Sequence, residues 1–438
     1  MADFFEYVFW RGDVEFSSSE FNPVDALIFS QVSYMNFDGL IPCGYDRSIT
    51  VKELFSRFKK SPDFAKRKNI GVVINPKTND LFEKIADSNR FGKVKLCGWK
   101  NRYSEKTEEQ FLAFTAFIED FALIVFRGTD DTIVGWKEDF NLAFGEEIEA
   151  QKDALEYVNS FIEKNPNVEV KIAGHSKGGN LAIYSAAKAK KTRQISEVYN
   201  FDGPGFSKED LESRRFKKIQ PKVKSFYPEC SIIGMLFNHF PEYKIVGSTE
   251  KLLMQHDAMS WKIHPTSFEE VKSFDRKSRF IEKTFNSWYM GLSADQRTQF
   301  VETIFDALFA SSAKNFTEFT QNWEKSFQAI LKTAWEQDFE TWNSSCFPGP
   351  ARKHLLFLFE CHRQFHGCCC QCRNLHCRKT LRGRHAPWNL RCLLHSRSHV
   401  FCNKSFLSRF DFLSFPCNSK LNGNADCPLL HLPENFLE

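Results

Sequence analysis

From about residue 120 onward, short apolar runs alternate with segments of helical spacing. Phe121–Phe126 (Phe-Ala-Leu-Ile-Val-Phe) has the length and uniform apolarity of a strand buried on both faces. Residues 149–164 place Leu155, Val158, Phe161 and Ile162 on one side, the spacing of an amphipathic helix. Val168–Ala173 reads as the next strand and runs into Gly174-His175-Ser176-Lys177-Gly178-Gly179. The stretch from Asn180 to Lys188 then reads as a helix. Further strands are predicted at 197–201, 223–227 and 243–246. The first of these ends in Asp202-Gly-Pro-Gly205, and the last precedes His256. Strands alternating with helices predict a mainly parallel sheet with helices on both faces. A second helical pattern follows. Phe316, Phe319, Trp323, Phe327, Ile330, Leu331 and Trp335 recur at helical spacing, and the pattern stops near Trp342. The expected organisation is a domain over 1–275, a helical extension or cap over 276–345, and a separate tail over 346–438.

Composition sharpens the last boundary. Eleven of the 14 cysteines and eight of the 12 histidines lie after residue 345. That tail has 13 Lys+Arg against 5 Asp+Glu, no Ile, Met or Tyr, and Val400 as its one valine. Strands and cores are normally filled by the residues it lacks. Three readings stay open. Cys368, Cys369, Cys370, Cys372 and Cys377, with His366 and His376, are metal-ligand types, but adjacent cysteines suit one tetrahedral site poorly and no paired CxxC spacing repeats. A disulfide-rich or lipidated tail is the second reading. A shift of reading frame near Ser345, leaving a disordered tail, is the third and accounts best for the abrupt loss of pattern.

Without the tail, the body is weakly acidic and holds three scattered cysteines, Cys43, Cys97 and Cys230. Neither nucleic acid nor a transmembrane segment is expected from that charge and hydropathy. The acidic residues near the start do not fit a signal peptide, so a reducing cytoplasm is the expected compartment.

The chemistry is concentrated at Gly174–Gly178. The pattern G-x-S-x-G between a strand and a helix suits a serine held in a turn of positive φ, whose neighbours two residues either side must lack bulk. The following helix would aim its N-terminal dipole at developing negative charge. Such a nucleophile needs an oxyanion hole. One donor is expected from the N–H of Lys177. The other is expected at Thr129 in Phe126-Arg127-Gly128-Thr129-Asp130, the turn after an earlier strand. The body's histidines are His175, His239, His256 and His264. His175 lies inside the turn, where its side chain cannot easily fold back onto Ser176. His256 follows the last strand, the chain position of a hydrolase base.

Phe126-Arg-Gly-Thr129 followed by Gly174-His-Ser-Lys-Gly178 resembles the class 3 lipases, which are α/β-hydrolases. The flanking text is closer to an uncharacterised bacterial α/β-hydrolase family related to them. The residues that carry this likeness are Val24-Asp-Ala-Leu27 with Ser33-Tyr34, Trp136, Asn200-Phe-Asp-Gly-Pro-Gly205, Ser231-Ile-Ile-Gly-Met235, Gln255-His256 and Ser260-Trp261. The resemblance covers roughly residues 1–345. It implies an α/β-hydrolase fold, Ser176 as nucleophile and His256 as base. For the acid it leaves two positions open. Asp202 ends the strand after the motif. Glu229 ends the following strand, the commoner place in class 3 lipases, but Ser231 stands where that class shows an aspartate. The expected activity is hydrolysis of a carboxylic ester, on a small-molecule or lipid substrate, through an acyl-enzyme on Ser176, with no cofactor and no metal. The alternatives are a catalytically inactive hydrolase-like binding protein, and an acyltransferase or peptidase using the same serine.

Overall fold

The computed structural model describes residues 2–275, apart from 131, 143–146 and 232, together with residue 296. All belong to the first of two units, Met1–Gln364 and Phe365–Glu438. The expected helical extension (276–345, but for residue 296) and the Cys/His-rich tail (346–438) lie outside the described residues.

Helices α1 (Phe4–Arg11), α2 (Pro23–Val32), α3 (Val51–Lys59), α4 (Phe64–Lys68), α5 (Thr78–Asp87) and α6 (Asn89–Gly92) form the N-terminal third, with the two-residue strand β1 (Ile49–Thr50) before α3. Strands β2 (Lys95–Ser104), β3 (Glu109–Ile118) and β4 (Phe121–Phe126) follow. Then come α7 (Ile133–Leu142), α8 (Glu149–Lys164), β5 (Glu169–His175), α9 (Lys177–Lys188), β6 (Ile195–Phe201), α10 (Lys208–Glu212), α11 (Arg214–Ile219), β7 (Val223–Pro228) and β8 (Tyr243–Val246). The eight strands lie side by side in chain order in one sheet. Pairing is antiparallel from β1 to β4 and parallel from β4 to β8. This is the α/β-hydrolase arrangement expected. Its antiparallel N-terminal edge is the part that the alternation after residue 120 does not reveal.

The alternation along β4 shows how the sheet sorts its faces. Ala122, Ile124 and Phe126 join α8, α9 and α11 in one core. Phe121, Leu123 and Val125 join α1, α2, α3 and α5 in the other. All six residues are buried, which is why the strand is apolar throughout. The crossovers from β4 to β7 all step the same way, so connections of one hand put their helices on one face. That leaves the opposite face to α2, which is buried at every residue from Val24 to Val32. Pro23 opens α2, and Asn22 and Asp25 close its first turn as a reciprocal capping box.

Asp25 also anchors the N-terminal third. Arg90 grips its carboxylate with Nε to Oδ1 at 2.8 Å and Nη2 to Oδ2 at 2.6 Å. The other three guanidinium N–H groups donate to the carbonyls of Val14, Ser19 and Glu20, so all five donors are used. The Tyr7 hydroxyl donates to Asp25 Oδ1 at 2.8 Å. Both charged side chains are fully buried. Such a pair is specific rather than strongly stabilising, but breaking it strands a charge in the core. Arg90→Ala is therefore expected to lower stability by about 3–5 kcal/mol in urea unfolding. A loss below about 1 kcal/mol would show that water reaches Asp25.

Candidate active site

Three loops at the carboxyl ends of the parallel strands meet at Ser176. The serine lies between β5 and α9 with φ 56° and ψ −133°, a backbone state that L-residues seldom adopt and that stores about 1–3 kcal/mol of strain. The two flanking glycines make it possible. A Cβ on Gly174 would sit 2.1 Å from the Gly178 carbonyl oxygen, and one on Gly178 would sit 2.3 Å from that of Phe126. The loop after β4 is equally close, since a Cβ on Gly128 would lie 2.6 Å from the His175 carbonyl oxygen and 3.0 Å from Ser176 Cβ. Thr129 is buried in this loop. Burial works against the Asp130 carboxylate there, but Arg127 Nη2 at 3.0 Å and the Thr132 N–H hold it below its ordinary pKa.

Lys177, the first residue of α9, points its side chain inward and is fully buried. Its Nζ donates to Gln110 O at 2.9 Å, Gln110 Oε1 at 2.8 Å and Glu138 Oε2 at 2.8 Å, using all three of its protons. Its backbone N–H, in the first turn of the helix, has no intrahelical acceptor. The ammonium thus anchors the helix start from below while the amide faces the strand ends.

Asp202, with φ 52°, follows β6 and is fully buried. Its Oδ2 lies 2.6 Å from His256 Nδ1, and its Oδ1 accepts from Ser231 Oγ at 2.5 Å. Among the described residues, Asp202 is the carboxylate bonded to the His256 ring. Glu229 is tied through its backbone instead, its N–H to Val246 O and its carbonyl to Asp275 N. Two buried asparagines hold the Asp202 loop. Asn200 Oδ1 accepts the Gly203 N–H at 3.0 Å, and Asn180 Nδ2 donates to the Pro204 and Gly205 carbonyls at 3.1 Å.

His175 links the turn to the histidine loop. Its Nε2 lies 2.8 Å from the His256 carbonyl oxygen, so that nitrogen carries the proton and donates. Its Nδ1, 3.1 Å from the Tyr34 hydroxyl, then accepts from it. The two imidazole rings lie 4.7 Å apart. Burial, and secondarily the nearby His256, pushes the His175 pKa down to about 3. His175 is therefore neutral across the physiological range and acts through its hydrogen bonds.

The structure thus brings Ser176, Lys177, Asp202 and His256 to one end of the sheet, with Thr129 in the adjoining loop. The parts played by His175, Ser231, Glu138 and Asn180 are not assigned by the sequence pattern. One of them, Ser231, is singled out in the sequence only by the resemblance, and here it hydrogen-bonds the aspartate that follows the neighbouring strand. No group of side chains suited to hold a metal ion occurs among the described residues. No helix among them is long and apolar enough to cross a membrane.

The family model described as Mbeg1-like matches residues 85–306. Among solved structures, the chain is similar to a mutant form of MDLA from Penicillium cyclopium at 14% identity, with 63% of this chain and 89% of that chain covered and a TM-score of 0.35. It is similar to a fungal lipase at 12% identity, with 57% and 84% covered and a TM-score of 0.34. It is also similar to the Rhizomucor miehei lipase in its propeptide complex at 15% identity, with 47% and 71% covered and a TM-score of 0.29. No curated protein matches it by sequence.

The buried neutral His175 has a consequence for stability. Unfolding returns its pKa from about 3 to the ordinary 6.5, so between those values the unfolded chain binds the extra proton. Stability therefore falls as pH drops from 6.5 toward 3, by up to about 1.4 kcal/mol per pH unit from this group. Replacing His175 with Gln is expected to flatten the pH dependence of urea unfolding by one proton in that window. An unchanged slope would mean that His175 is charged in the folded protein.

Proposed function

Since the chain belongs to the Mbeg1-like family, we propose that it is a serine hydrolase acting on a carboxylic ester through an acyl-enzyme on Ser176. The observation that carries the reading is the 2.6 Å contact of the buried Asp202 carboxylate with His256 Nδ1, beside a serine held at positive φ. A carboxylate at that nitrogen keeps its proton there, which leaves the Nε2 lone pair as the base.

His256 takes the proton of Ser176 as Oγ attacks the ester carbonyl. The N–H groups of Lys177 and Thr129 receive the oxyanion, and the N-terminus of α9 adds its dipole. His256 then returns the proton to the departing alcohol. Water, deprotonated by the same histidine, attacks the acyl-enzyme; the bond to Ser176 Oγ breaks, His256 returns the proton to Oγ, and the acid is freed. Asp202 steadies the imidazolium at both proton transfers, and Ser231 steadies Asp202. An ester rather than an amide is favoured by the likeness of Phe126–Thr129 and Gly174–Gly178 to the class 3 lipase motifs. Ser231 in place of the aspartate of that class, hydrogen-bonded to Asp202, favours Asp202 over Glu229 as the acid.

Hydrolysis of a p-nitrophenyl ester series of increasing chain length tests this. Ser176→Ala is expected to reduce turnover to background. Asp202→Asn is expected to lower kcat by up to ~10⁴-fold, as when a serine triad loses its acid. Glu229→Gln is expected to stay within about threefold of wild type. The reverse order for the two acid variants would transfer the role to Glu229. Transfer of the acyl group to an added amine or alcohol in preference to water would make the protein an acyltransferase.

A further inference from the structure

A groove of about 650 Å³ lies at the sheet end opposite the candidate active site. It is bordered by the loop before β5 (Pro166–Val168), the loop before β6 (Lys190–Gln194) and Lys218 of α11. These are the amino ends of the strands whose carboxyl ends carry Ser176 and Asp202. The seven residues of β5 separate the two places by roughly 20 Å at the ordinary strand rise.

Lys190, Lys191, Arg193 and Lys218 surround the groove, and all are exposed. None of these four side chains forms an ion pair with a described residue. The one carboxylate at the rim, Glu169, accepts a hydrogen bond from Ser196 Oγ at 2.7 Å. Arg214, Arg215 and Lys217 of α11 extend the cationic surface and are likewise exposed and without ion pairs among the described residues. This concentration of charge stands out on a body that is net acidic.

Two further observations point inward. Thr192 lines the groove and is only 7% exposed, yet its hydroxyl has no hydrogen-bond partner among the described residues. Beneath it, Lys222 Nζ donates to the Thr192 carbonyl at 3.0 Å. Burial, and secondarily the nearby Lys218, lowers the pKa of Lys222. A concave site with several unneutralised cations, one of them a planar guanidinium, matches a ligand carrying more than one phosphate.

We propose that this groove binds a polyphosphorylated ligand, either a soluble polyphosphate ester or the headgroup of a phosphoinositide. Lys190, Lys191, Arg193 and Lys218 contact the phosphates. A bilayer held at this end would lie on the far side of the sheet from Ser176. The docked surface would then tether the protein without feeding the hydrolytic site.

The test uses the full chain and two probes. Inositol hexakisphosphate is titrated calorimetrically. Phosphatidylcholine vesicles with and without phosphatidylinositol bisphosphate are used in flotation. Wild type is expected to bind the first probe. Flotation with the doped vesicles assigns the site to a headgroup, and its absence assigns it to a soluble ligand. The variant Lys191→Glu/Arg193→Glu/Lys218→Glu is expected to bind about 100-fold more weakly, with an unchanged unfolding midpoint and unchanged ester hydrolysis. These changes lie on the surface away from Ser176, so a folding defect would appear in the midpoint. If wild type binds neither probe, binds only an RNA oligomer, or binds as tightly after the triple reversal, the proposal is wrong.

Discussion

The close approach of three backbones at one end of the sheet governs the rest of the site. Ser176 can hold its positive φ only because Gly174 and Gly178 present no side chains where the loop after β4 and the start of α9 press in. The same closeness brings Gly128 against the Ser176 side chain. A single methyl at any of these positions would meet a backbone carbonyl, which cannot move without shifting a strand end or the start of α9. Strain at the serine is therefore sustained by the packing of β4, β5 and α9, and the parallel register of β4 and β5 sets the geometry of the turn.

Buried polar groups around Ser176 do the remaining positioning through paired hydrogen bonds. Lys177 spends its three protons on Gln110 and Glu138. Asn180 and Asn200 fix the Asp202–Gly205 loop. His175 bridges Tyr34 and the His256 carbonyl. In a low-dielectric interior such a network is rigid when satisfied and destabilising when broken. It joins the serine turn, the aspartate loop and the histidine loop, three segments far apart in sequence.

The parts of the fold that are legible in the sequence are those where one local pattern decides the structure. The predicted strand at 121–126 and helix at 149–164 match the observed bounds of β4 and α8, because a doubly buried strand is uniformly apolar and an amphipathic helix repeats every turn. Glycine spacing places the serine turn. The strand β2 carries no such pattern, since Lys95–Ser104 mixes charged and apolar residues and its second half is open to water. Sequence leaves the choice between Asp202 and Glu229 open because it depends on which strand end faces His256, a property of sheet order rather than of composition. His175 cannot easily fold back onto Ser176, and its role comes from reaching the His256 backbone instead. That contact joins residues 81 positions apart, and no local pattern carries it.

The central claim is that Ser176 is an activated nucleophile. Its most direct test is to treat the folded protein with a fluorophosphonate and map the adduct by peptide mass spectrometry. The account predicts one adduct per chain, on the peptide containing Ser176, and its disappearance in the His256→Asn variant. A folded wild-type protein that remains unlabelled, or an adduct on another residue, would contradict it.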